Sequence, residues 1–172
     1  DKGRSVGYAF PGIWAQVGNS KPIARVLEAK LMPPYHAASG LSPASVSGLA
    51  RLDGATFIGE YPLATVSFRD RKLPVKVTLE AFTPVIPLEA DDSGLPVAVL
   101  RYRVKNPNKQ AAKVSIVYSL DNPAGVDLRG QLRVNRPLMT DRTNEFRSGP
   151  GLQGLFMTNP KAAQDDPVAG SM

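Results

Sequence analysis

Between Gly59 and Leu120 apolar and polar residues alternate in short runs, and prolines mark the ends of those runs. Val75, Val77, Leu79 and Ala81 interleave with Lys76, Thr78 and Glu80. Ala98, Leu100, Tyr102 and Val104 interleave with Arg101 and Arg103, and Val114, Ile116, Tyr118 and Leu120 repeat the pattern. Ala64 to Phe68 alternates in the same way. A period of two puts successive side chains on opposite faces of an extended chain, so each run predicts a strand with one buried face. Pro62, Pro74, Pro84, Pro87 and Pro96 fall at strand entrances and exits, where the missing N–H removes no ladder bond and blunts an edge. No helical period of comparable length competes. The fold class expected is all-β: an antiparallel β-sandwich with long connecting loops.

Outside this stretch the signals are local. Ile13–Val17 and Ile23–Leu27 flank the turn-forming Gly18-Asn19-Ser20-Lys21-Pro22 and predict a hairpin, with Trp14, the sole tryptophan, packed in the core or between sheets. A stacking role for Trp14 against a sugar ring is the less favoured alternative. Residues 31–59 are rich in small residues and turn formers and read as a long loop of the functional or interfacial kind. After Asp121 the pattern weakens; Leu128–Val134 and Leu152–Thr158 are candidate strands, with Phe156 and Met157 as core residues, and residues 161–172 read as a frayed tail. No boundary splits the 172 residues, so a single domain is expected. The chain opens on Asp1-Lys2-Gly3 without an initiator Met or an apolar leader, which points to a start inside a longer protein.

The chemistry available is narrow. With no cysteine and one histidine, thiolate metal sites and cysteine nucleophiles are excluded, and no metal or cofactor is expected. There is no Gly-X-Ser-X-Gly elbow and no phosphate-cradling glycine loop; Pro150 removes a donor from the glycine-rich Ser148–Gly154. Net charge is +6, but Lys and Arg are scattered along the sequence, so a solvated surface outweighs a nucleic-acid footprint. No apolar run approaches the length of about 20 residues that spans a bilayer. The compartment stays open between cytoplasm and export. Asp91-Asp92 is the one carboxylate pair within the strand region; adjacent acids suit calcium or general acid–base work, but in a turn ending Ser93-Gly94 they more often cap backbone amides.

Several phrases also occur in order: GEYPLATVSF, LPVKVTLEAFTPVIPLEADDSGLPVAVLRYRVKN and VSIVYSLDNPAG, with IARVLEAK, PPYHAASGL and GATFIGEYP upstream. Over about residues 8–126 the chain resembles the N-terminal domain of glycoside hydrolase family 116, the family of non-lysosomal glucosylceramidase and bacterial β-glucosidases. The resemblance implies a β-sandwich that packs on a C-terminal (α/α)6 catalytic barrel of the same protein. It also implies a β-glucoside or glucosylceramide-like substrate, reached only through that barrel. The family's catalytic nucleophile and acid/base belong to the barrel, and nothing in this chain matches their motifs, so no catalytic residue is expected here. Cleft-rim or interdomain candidates are Tyr35, His36, Tyr61, Asp91 and Asp92. The alternative reading is a free-standing carbohydrate-binding or adhesive sandwich.

Overall fold

Alternation decides which strands form, and cross-strand burial decides how they stack. The structure, a computed structural model, describes residues 8–33, 48–124 and 141–161. Ten strands and one helical turn lie within these residues, and contacts group the chain into two units, Ala9–Ser119 and the remainder. The expected all-β class holds, with the sheets almost wholly antiparallel and none closed into a barrel.

In the Ala9–Ser119 unit, β1 (Phe10–Val17) pairs antiparallel with β2 (Ile23–Ala29), as the hairpin pattern predicts. The two-residue β3 (Arg51–Leu52) adds to β2 in parallel. A single residue, Asp53, then carries the chain to β4 (Gly54–Glu60) in a second sheet. That sheet is a meander of β4, β5 (Leu63–Arg69), β6 (Lys76–Phe82) and β7 (Val99–Lys105). After the Asn106–Ala111 turn, β8 (Ala112–Ser119) returns to the first sheet and pairs with β1 along its whole length. Asn106 shapes this turn by donating Nδ2 to the Gln110 carbonyl and accepting the Asn108 amide.

The two sheets meet through Ile13, Ala15, Leu27 and Leu52 from the first and Leu73, Val75 and Val77 at the second. Ile13 is 2% and Leu52 0% exposed. Removing such side chains from water is the main term holding the layers together, about 1.5–3 kcal/mol for each fully buried aliphatic residue. Phe68, Tyr102 and Val114 pack against this cluster, whereas Leu100, Ile116 and Tyr118 stay exposed, so the core covers only part of β7 and β8.

Two differences from the sequence reading concern residues 13–60. Trp14 does not lie between the sheets. Ile13 and Ala15 take the inward positions, so the intervening Trp14 points to the outer face of the first sheet, half-buried beside Phe10, Gly12, Val26 and Leu49. Nor is 31–59 a loop throughout: Gly54–Glu60 is an edge strand in register with β5, from Gly54 opposite Arg69 to Glu60 opposite Leu63. The backbone ladder outweighs the weak strand preference of Gly54, Ala55 and Gly59.

In the second unit β9 (Thr143–Gly149) and β10 (Leu152–Thr158) form a hairpin. Leu152–Thr158 has the bounds its pattern predicts. Met157 is buried, while Phe156 is half-buried with the Arg147 guanidinium 3.6 Å over its ring. Buried Asn122 donates Nδ2 to the Thr143 carbonyl and to Asn144 Oδ1. Leu128–Val134 lies outside the described residues.

Candidate functional site

Strand register brings two of the expected site segments together. Glu60 pairs with Leu63, Leu63 with Phe82, and Phe82 with Val99. The Tyr61–Pro62 turn and the 83–98 connection therefore leave the second sheet from the same end. Tyr61 follows the last residue of β4, stands before a cis Pro62, and is 87% exposed. Asp91 and Asp92 lie in the first turn of α1 (Ala90–Ser93), a single helical turn inside the connection. Tyr35 and His36 lie outside the described residues.

The connection holds itself in shape. Ser93 Oγ both accepts the Ile86 amide at 2.9 Å and donates to the Ile86 carbonyl at 3.0 Å. The Glu89 amide donates to the same carbonyl, and the Ser93 and Gly94 amides close the helical turn on Glu89 and Ala90. These bonds satisfy the polar backbone locally and leave the apolar side chains facing outward. Besides Tyr61, Leu63 at the start of β5 and Ile86, Leu88, Leu95 and Val97 in the connection are all exposed, with Leu88 wholly so. Six large apolar side chains exposed on two segments that leave one end of a sheet are more than scattered surface residues, and such concentrations mark contact surfaces.

The two carboxylates do not have the company that chemistry requires. Both are exposed, neither makes a hydrogen bond or ion pair among the described residues, and Glu89 occupies the N-cap without a side-chain bond. The capping role expected of Asp91 and Asp92 therefore does not appear; Ser93 does that work from the other side of the turn. Among the described residues no three His, Cys, Asp or Glu side chains cluster closely enough to hold a metal ion. What this end of the sheet offers is exposed apolar side chains, with two exposed carboxylates in the same connection.

A second concentration of polar groups lies where Asp53 and the β5–β6 connection meet the first sheet. Arg25 Nε donates to Asp70 at 3.0 Å, and Asp70 also accepts the Lys72 and Leu73 amides. Asp53 accepts from Lys30 Nζ at 2.7 Å and from the Arg71 amide at 3.0 Å. Hydrogen bonding by Lys30 and then by the Arg71 amide holds the Asp53 carboxyl far below the usual range. For Asp70 burial is the largest influence and pushes the carboxyl up, but Arg25 and the two amides together hold it down. These pairs tie the β5–β6 connection of one sheet to β2 and β3 of the other, and serve as a clamp.

Sequence reasoning named Tyr61 and the Asp91 loop as candidates but did not single out the exposed apolar side chains of the same segments. Their signal was present as Leu63, Ile86, Leu88, Leu95 and Val97, apolar residues in excess of what the alternating strands need. Residues 9–172 match the family model described as beta-glucosidase 2, glycosyl-hydrolase family 116, N-terminal region. No helix among the described residues is long and apolar enough to cross a membrane.

Proposed function

Because the chain belongs to the N-terminal domain family of glycoside hydrolase family 116, we propose that it is the non-catalytic sandwich of a β-glucosidase. In this reading it packs on the (α/α)6 catalytic domain through the proline-rich end of its second sheet. The observation that carries this is the exposed surface around Tyr61 and Leu88. It combines an exposed aromatic side chain in the β4–β5 turn with exposed aliphatic side chains on a connection already braced by Ser93. Large aromatic residues surrounded by apolar contacts are what dominate interface energies, and a pre-braced loop loses little entropy on docking. Asp91 and Asp92, on the rim of that surface, face the partner's edge and shape the approach to its cleft. The β-glucoside or glucosylceramide-like substrate then binds the catalytic domain.

Coexpression of the chain with the family's catalytic domain tests the assignment. The wild-type chain copurifies with the barrel. Tyr61→Asp combined with Leu88→Asp places two charges in the apolar contact and weakens the complex tenfold or more, while circular dichroism of the free chain stays unchanged. Undiminished copurification of the double variant would move the contact elsewhere.

A further inference from the structure

The lysines and arginines that are scattered in the sequence are gathered by strand register onto one face. The inward positions of the second sheet belong to Phe68, Val77 and Tyr102, so the residues between them point outward. Reading across the outer face, Thr56, Ser67, Thr78 and Arg103 form one row. The next row toward the β5–β6 connection is Gly54, Arg69, Lys76 and Lys105. On the other side lie Ile58, Thr65, Glu80 and Arg101.

In these three rows five cations, Arg69, Lys76, Arg101, Arg103 and Lys105, stand against one carboxylate, Glu80, leaving four positive charges of the chain's net +6. Glu80 pairs with Arg101 and Arg103. Arg69, Lys76 and Lys105 are exposed and have no ion-pair partner among the described residues. Beyond the Ser67–Thr78 pair β5 and β6 part, opening a groove of about 900 Å³ lined by Ser67, Arg69, Lys76 and Thr78, and also by Asp53 and Asp70, whose carboxylates are taken up by Lys30 and Arg25.

We propose that this face binds an acidic polysaccharide, a chain of uronate sugars lying across the strands with its carboxylates on Arg69, Lys76 and Lys105. Charge complementarity selects an anion. The row of neutral hydroxyls on Thr56, Ser67 and Thr78 selects a polyhydroxylated one, since each supplies a donor and acceptors for sugar hydroxyls. Four strands about 4.8 Å apart make that row roughly 14 Å wide, a flat platform suited to an extended polymer. No aromatic side chain stands in the three rows to stack on bases, which disfavours single-stranded nucleic acid. Ile58 is the only aliphatic side chain there, too little apolar area to enter a bilayer. Arg69, Lys76 and Lys105 lie at the opposite end of the strands from Tyr61 and Leu63, so the proposal does not depend on the interdomain assignment.

The test is titration of the complete 172-residue chain with polygalacturonate at low salt, beside fully methyl-esterified polygalacturonate, duplex DNA and phosphatidylserine vesicles. Polygalacturonate binds, the methyl ester binds at least tenfold more weakly, and added salt weakens the interaction. The triple variant Arg69→Gln, Lys76→Gln, Lys105→Gln loses at least tenfold in affinity with unchanged circular dichroism. Ser67→Ala with Thr78→Val weakens polygalacturonate severalfold and leaves any DNA binding unaltered. The proposal is overturned if polygalacturonate does not bind, if the triple variant binds as well as the wild type, or if DNA or vesicles bind more tightly than the polysaccharide. Equal loss of polygalacturonate and DNA binding on removing the two hydroxyls overturns it too.

Discussion

Asp70 shows how single side chains hold the sandwich closed. Its carboxylate is 3% exposed and accepts from the Arg25 guanidinium and from two backbone amides of its own turn. A carboxyl held below its ordinary value favours the folded state above the unfolded value of about 4 and loses that contribution as pH falls through the folded value. Asp53 acts in the same direction. Asp70→Asn is therefore expected to lower stability at pH 7 by roughly 2 kcal/mol, since it leaves half-buried Arg25 without its counter-ion. The gap to the wild type narrows below about pH 4, where the wild-type carboxyls begin to protonate; urea melts between pH 7 and pH 3 measure it. Tyr102 gives the opposite sign. Its hydroxyl is buried without a hydrogen-bond partner among the described residues, and burial, with Tyr118 nearby, pushes its ionisation up. Tyr102→Phe removes an unsatisfied polar atom and is expected to raise stability by about 1 kcal/mol in the same melts.

Among the elements, those with a clean period of two were legible and those without it were not. β6, β7 and β8 each set apolar against charged or hydroxyl residues, so one residue of slip would turn buried Val77 and half-buried Tyr102 and Val114 away from the core. β4 carries Gly-Ala-Thr-Phe-Ile-Gly and β9 carries Thr-Asn-Glu-Phe-Arg-Ser-Gly; both owe their pairing to a partner strand and not to their own pattern. Trp14 was placed on the wrong face because Ile13 and Trp14 are adjacent and both apolar. Only one can point inward, and the choice follows from the partners opposite, which sequence order does not reveal. The β9–β10 hairpin turns through Pro150 and Gly151, with Gly151 at φ +76°. A side chain there strains the left-handed backbone. Gly151→Val is expected to destabilise the hairpin by about 1–2 kcal/mol, raising amide exchange across 143–158 and leaving β1–β8 protected.

At the scale of the whole molecule, the site was less legible than the fold. The Tyr61 turn and the Asp91 loop were visible as proline-bounded interruptions between strands. Their meeting at one end of a sheet depends on the Leu63, Phe82 and Val99 register, which joins residues far apart in sequence. The same holds for the basic face, whose charges look dispersed until β5, β6 and β7 lie side by side. Both surfaces lie on a scaffold that shows no catalytic constellation among its described residues, which accords with the proposal that the chemistry resides in another domain. Hydrolysis of an aryl β-glucoside measures this directly, assayed for the purified chain, the family's catalytic domain alone, and the two together. The chain alone gives no turnover, and its addition raises the activity of the catalytic domain. Turnover by the chain alone that persists through successive purification steps, or a catalytic domain indifferent to its presence, would contradict the account.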